Sequence, residues 1–266
     1  MEFLGLDERL VLAIASGLYM TAVAFALMHL LKGRRYVRFV LLGLVSTGFV
    51  IQTLGLYLRG LERGSCPLSN SFEFIQFIAW STILLYLMVG PAFRVSLLGF
   101  FSASLAALLT FVSLLVQRWD SEVVASESPV QPWIEAHASF ALFSYGAFGL
   151  LFLTASMYLL QVHGLQNKRL ESLFRFLPSI VAIDRMNLRL LIIGIVSLTL
   201  SLGLAFFYGW NAFEGVSWSK LGGTFLVWLV SVALLVLRLV RLLLTKKFSW
   251  GCIALFGTAL FSLAFV

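Results

Sequence analysis

The sequence predicts an all-α, polytopic membrane helix bundle with about eight transmembrane helices, and three observations carry that reading. The first is composition: 61% hydrophobic against 12% charged residues, with a mean hydropathy of +0.99, leave too little polar surface to coat a soluble globule. The second is length. Stretches of roughly 20 residues without a formal charge recur, and a hydrocarbon core about 30 Å thick needs about that many helical residues. The third is pattern: these stretches are apolar all round instead of alternating with period two, which argues against a β-barrel. Backbone groups in lipid must then be satisfied within each segment, as a helix does.

The spans are expected at residues 10–31, 39–58, 74–93, 95–117, 136–162, 190–213, 221–237 and 248–266, within a single domain covering 1–266. The first follows Glu2, Asp7 and Glu8 and precedes a basic cluster, the reverse of a signal peptide's order, so it is expected to stay as an anchor. In the second, Gly43, Gly48 and Gly55 let another backbone approach, as do Gly146 and Gly149 in the fifth. The third is entered through Gly64-Ser65-Cys66-Pro67-Leu68-Ser69-Asn70, whose Pro, Ser and Asn favour a turn and a helix cap. Only Arg94 separates the third span from the fourth, and Gly90, Pro91 and Arg94 supply the break for a tight hairpin. The fifth opens on His137 after the acidic loop 118–135. Between the fifth and sixth, Leu170, Leu173, Phe174 and Leu177 recur at helical spacing among Lys168, Arg169 and Arg175. That pattern suits a helix lying in the membrane interface, or a docking face for a cytoplasmic partner.

Alternate loops differ sharply in charge. One set holds fourteen of the nineteen lysines and arginines, among them Lys32, Arg34, Arg94, Arg175, Arg238 and Lys246, while ten of the twelve acidic residues lie on the other side. Retention of cations in the cytoplasm puts the first set inside and both termini outside, in the periplasm of a bacterial inner membrane. The net charge of +7 is therefore a topology signal and needs no nucleic acid to explain it. Cys66 and Cys252 fall on opposite faces, so no intrachain disulfide is expected.

His137 is the residue most suggestive of chemistry. A neutral imidazole at the outer end of a span can ligate haem iron, or it can simply bond a neighbouring helix. The outer loop 208–220 carries Tyr208, Trp210, Phe213 and Trp218, which suit either an interfacial aromatic belt or the wall of a flat cofactor pocket. Lys220 or Arg118 would meet the propionates of a haem held there. No nucleophile and base stand at a credible spacing for catalysis, and no phosphate loop or nucleotide motif occurs. The near absence of intramembrane carboxylates and lysines weighs against a transporter.

The segment Pro67-Leu68-Ser69-Asn70-Ser71-Phe72-Glu73 resembles the entry to a span in the cytochrome c assembly family. His137 to Gly146, with Ser144 and Tyr145, is similar to that family's histidine helix, and residues 191–207 followed by a Trp-containing loop stand where the family has its tryptophan-rich haem-handling segment. The likeness covers most of the chain, and the HemX/YpjD-type branch, with a charged stretch like Ile183-Asp184-Arg185-Met186, resembles it most. The resemblance implies haem b handled at the outer face, with His137, Ser144, Tyr145, Trp210 and Trp218 at the site and His137 on the metal. It also implies apocytochrome c or a biogenesis subunit as partner.

Two departures matter. The loop has Trp210 and Trp218 but no Trp-Gly-x-Tyr-Trp-x-Trp-Asp run, and no histidine follows the start of the seventh span. The remaining histidines, His29 and His163, sit near the cytoplasmic ends of their spans; His163 is about 26 residues, on the order of 39 Å, from His137. They are either an inner haem pair or two interfacial side chains bonded near the basic loops. The expected role is accessory or regulatory, not that of a complete synthase. The alternative is a membrane adaptor that binds no haem and regulates a cytoplasmic tetrapyrrole-synthesis enzyme, such as glutamyl-tRNA reductase, through residues 165–189.

Overall fold

The computed structural model describes residues 7–32, 38–64, 66–68, 70–89, 96–120, 132–166, 179–209 and 218–263. Eight long helices hold nearly all of them: α1 (Glu8–Leu31), α2 (Arg38–Arg63), α3 (Ser71–Val89), α4 (Ser96–Leu115), α5 (Pro132–Gln166), α6 (Ile180–Gly209), α7 (Trp218–Leu239) and α8 (Thr245–Leu263). A short 3-10 turn, Gln117–Trp119, follows α4, and no strand occurs among the described residues. Seven helices, α1 to α7, are long and apolar enough to cross a membrane. α8 carries Lys246 and Lys247 in its first turn, which shortens its apolar stretch. Leu31, Phe39 and Phe207 are 78%, 80% and 79% exposed, a surface that only lipid covers without penalty.

Order and number follow the sequence reading, and α3 and α4 are separate helices. Helix ends shift by a few residues throughout, α5 running from Pro132 to Gln166 instead of 136 to 162, and three shifts take in charges read as edges. α2 continues to Arg63 instead of ending at Leu58, α3 takes Glu73 into its first turn, and α6 starts at Ile180 instead of Leu190, enclosing Asp184, Arg185 and Arg189. Charges taken as span ends lie inside helices because several are paired there: Arg59 with Glu73 and Asp184 with Arg238. Ser179 starts α6, its hydroxyl and carbonyl oxygens accepting the Ala182 N–H at 3.3 and 2.9 Å. Residues 180–189, expected in the cytoplasmic loop, thus belong to α6; Leu170, Leu173, Phe174 and Leu177 of the expected interfacial helix lie outside the described residues.

Contacts group the chain into two compact units, Met1–Val130 and Gln131–Val266. In the first, α1 packs on α2 and α4, and α3 on α4, around Leu12, Leu56 and Phe72. A Cβ on Gly48 would stand 2.8 Å from the Tyr19 ring, and one on Gly55 2.7 Å from Leu12, so these glycines set the α1–α2 approach. Gly43 does not: it faces open space. Through the middle of the unit runs a ladder of buried side chains. Tyr19 Oη donates to Gln52 Oε1 at 2.9 Å, Gln52 Nε2 to Gln76 Oε1 at 2.9 Å, and Gln76 Nε2 to Ser113 Oγ at 2.9 Å. Thr110 adds a bond to Ser16 Oγ at 3.0 Å. Between α2 and α3 the Trp80 indole N–H donates to Thr53 at 2.8 Å, and between α3 and α4 Tyr86 lies against Gly99.

In the second unit α5 packs on α6 and α8, and α7 packs on α8. The apolar stretch of α5 is 67% buried against 17% for α7, which makes α5 the core helix of this unit. Phe148 fits against Gly194, Leu234 against Gly251, and Phe152 stacks on Phe256 at 5.1 Å. Trp228 donates its indole N–H to Thr199 at 2.9 Å. Asp184 holds Arg238 at 2.7 Å, and that guanidinium also lies over the Phe248 ring, 5.2 Å from its centre.

Candidate functional site

His137 stands in the second turn of α5, partly buried against α6. Its Nδ1 is 2.8 Å from the backbone oxygen of Ser201. A carbonyl only accepts, so Nδ1 carries the hydrogen. Ser201 returns the bond: its hydroxyl donates to the His137 backbone oxygen at 2.9 Å and stands 2.9 Å from Nδ1. This clasp fixes both the tautomer and the ring plane and leaves Nε2 with its lone pair unpartnered among the described residues. A backbone carbonyl on one ring nitrogen, with the other nitrogen available, is the arrangement of metal-ligating histidines. The helix-to-helix bond and the ligand geometry, alternatives in the sequence, are thus compatible in one side chain.

The other expected site residues are placed differently. Ser144 is buried and spends its hydroxyl on the Ala141 carbonyl at 2.6 Å. Tyr145 is buried too, its hydroxyl turned to Thr224 on α7. These two lie seven and eight residues past His137, about 10–12 Å along the helix, and they bond within the bundle. Trp210 lies outside the described residues, and Trp218 is described by its backbone as the first residue of α7. Phe206 and Phe207, at the end of α6, meet edge-on at 5.7 Å and supply exposed aromatic surface beyond Ser201. A groove of about 410 Å³ between α6 and α7 uses Thr199, Leu202, Gly203 and Phe206, a different face of α6 from Ser201.

The remaining histidines have neighbours of their own. His29 Nδ1 donates to the Phe25 carbonyl at 2.9 Å, one turn back in α1, with its ring against Phe25. His163, in the last turn of α5, lines a groove of about 530 Å³ between α5 and α8 with Lys246 and Trp250. It belongs to the same continuous helix as His137 and the opposite end of it, so the two do not share an iron.

Sequence reasoning missed two things. Ser201 is 64 residues from His137, and its only sign is its place four residues after Ser197 on the buried face of α6. The larger omission is an ion cluster in the first unit. Arg59, 2% exposed, bonds Glu73 at 2.6 Å and Glu8 at 3.2 Å, and also contacts Asp120. Arg63 reaches Glu73 at 2.6 Å, and Arg9 reaches Asp120 at 3.3 Å. The Phe72 ring lies under Arg59 with 4.8 Å from guanidinium to centroid. Three arginines thus meet three carboxylates where α1, α2, α3 and the end of α4 converge. The expected cap is present: Asn70 Oδ1 accepts the Glu73 N–H at 2.9 Å and so presents Glu73 to the cluster.

Known proteins are similar to this chain in sequence. The chain is 29% identical to Protein HemX of Brevibacillus brevis over 72% of its own length and 70% of that protein. It is 26% identical to Protein HemX of Bacillus subtilis over 92% and 87%. It is also 29% identical to the cytochrome c biogenesis protein CcsA of Microcystis aeruginosa over 64% and 50%. The family model described as cytochrome C assembly protein matches residues 68–266, from the Asn70 cap through the clasp of His137 to the end of α8. With three quarters of its length matched, this multi-pass membrane chain belongs to the cytochrome c assembly protein family.

Proposed function

We propose that this chain is a haem-handling protein of the bacterial cytoplasmic membrane, accessory or regulatory in cytochrome c biogenesis or haem metabolism, that takes haem b at its outer face through Nε2 of His137. The observation that carries the reading is the clasp, in which the Ser201 carbonyl holds Nδ1–H at 2.8 Å and leaves the other nitrogen to coordinate. The relative named for cytochrome c biogenesis supports the same direction. Haem supplies an iron that accepts an imidazole nitrogen as axial ligand. His137 would hold it, Trp210 and Trp218 would flank the ring, and Ser144 and Tyr145 support the helix from within. No second histidine of this chain would reach the iron, so a further ligand would come from a weaker group or from a partner, apocytochrome c or a biogenesis subunit.

The test is an absorption spectrum of the detergent-purified protein, as isolated and after dithionite, beside His137→Ala. A Soret band with reduced-state visible peaks that weakens in the variant is the expected result. Identical spectra and haem affinities in the two proteins would overturn the assignment. A protein unable to take up haem at all would favour the adaptor, to be tested by co-purification after Leu170, Phe174 and Leu177 are changed to serine.

A further inference from the structure

The two units repeat three contacts and differ at a fourth. In the first, Tyr19 of α1 lies on Gly48 of α2, Thr53 of α2 bonds Trp80 of α3, Tyr86 of α3 lies on Gly99 of α4, and Thr110 of α4 bonds Ser16 of α1. In the second, Phe148 of α5 lies on Gly194 of α6, Thr199 of α6 bonds Trp228 of α7, and Leu234 of α7 lies on Gly251 of α8. At the fourth place Ser262 of α8 lies near Tyr145 of α5, but its hydroxyl makes no hydrogen bond there, so the bond of the first unit is not repeated. The shift along the sequence that carries Gly48 to Gly194 also carries Thr53 to Thr199. One shift serves Ser16 and Tyr19, another Trp80 and Tyr86, and another Gly99 and Thr110. The pairs α2 with α6 and α3 with α7 are therefore matched twice, by separate contacts, without a gap, and α1 with α5 and α4 with α8 once each. Phe77 and Phe225, each against its tryptophan, agree as well.

We infer that residues 1–130 and 131–266 are two copies of one four-helix unit, and that ligand binding belongs to the second copy because the matching place in the first is filled by its own charges. The shifts bring His137 onto Glu8 and Ser201 onto Gly55. The carboxylate of Glu8 is held by Arg59 at 3.2 Å. Arg59 itself falls on Ala205 and Glu73 on Leu221, so the second copy lacks the cation and the buried anion on which the ion cluster turns. Where the first copy has a neutral set of arginines and carboxylates, the second has an imidazole in place of Glu8, with Ala205 and Leu221 at the positions of Arg59 and Glu73. The helix-to-helix spacing is matched by exchange of volume. In the first copy glycine faces leucine, Gly55 against Leu12. The same shifts set Ser201 opposite Ala141 in the second, where the smaller alanine would leave room for the serine side chain.

The swap can be tested without any ligand, by thermal unfolding of the full-length protein in detergent. Ala141→Leu alone overpacks α5 against α6 and should lower the midpoint by on the order of 5 °C. Adding Ser201→Gly recreates the first copy's pair and should restore most of that loss. A double variant no more stable than Ala141→Leu overturns the correspondence. The second arm rests on the haem reading above: loaded protein should hold one haem per chain, and His137→Ala should hold none. One haem retained by His137→Ala would show a second site and overturn the assignment of binding to one copy. Parent protein that takes no haem would sink the proposed function, while the volume swap would still decide the repeat.

Discussion

Changing Arg59 to methionine keeps the length of the side chain and removes the charge that three carboxylates share. Glu73 has no exposed surface and is the anion that suffers most. Stranding one member of a buried ion pair costs about 3–5 kcal/mol. Here the lower end applies, because Arg63 still reaches Glu73 at 2.6 Å, Arg9 still reaches Asp120 at 3.3 Å, and the Glu8 side chain, 20% exposed, can hydrate. A loss of about 3 kcal/mol lowers the unfolding midpoint of a chain this size by on the order of 10 °C. Adding Glu73→Gln returns the cluster to equal numbers of cations and anions and should recover about 1–2 kcal/mol of that loss. The assay is thermal unfolding of parent, both single variants and the double variant in one detergent. Arg59→Met within a degree of the parent, or a double variant that merely sums the single losses, would refute the reasoning.

Three further outcomes are expected. Gln52→Leu orphans the Tyr19 hydroxyl and should cost about 1–2 kcal/mol; Gln76→Leu should cost less, because Gln52 Nε2 keeps the Gln76 carbonyl at 3.0 Å, and the order of the two midpoints checks this. Gly55→Ala drives a methyl into Leu12 and should destabilise by about 1–3 kcal/mol, with Leu12→Ala in the same chain recovering part of it in the same unfolding measurement. Ser201→Ala leaves the backbone carbonyl that holds Nδ1, so haem titration followed at the Soret band should show less than about a ten-fold loss of affinity, against full loss for His137→Ala.

The number and order of helices were legible because apolar length reports lipid crossing directly, and Asn70 announced its cap through the turn chemistry around it. Boundaries failed where charge was read as an edge. Hydropathy weighs each ionised group as though it stood alone in oil, whereas Arg59 meets partners that are 14, 51 and 61 residues away in sequence. The same distance hid Ser201 from His137. Gly48 and Gly55, two turns apart, share a face of α2 that Gly43 does not, a difference that helical geometry makes readable in the sequence. The repeat was also present there, as Gly48 and Thr53 against Gly194 and Thr199 and as Phe77 and Trp80 against Phe225 and Trp228, but such short matches gain weight only when the contacts join them.

One apolar helix can slide along another in lipid with little change in what it buries. The ladder through Tyr19, Gln52, Gln76 and Ser113 removes that freedom from the first unit. A slip of one residue, about 1.5 Å, parts hydroxyls and amides that no water at that depth can satisfy. Arg59 is seven residues, two helical turns, beyond Gln52, so the height at which its guanidinium arrives is dictated from the middle of the unit. The ladder is thus a depth gauge for the ions above it, and loosening it would be felt first as misaligned charge.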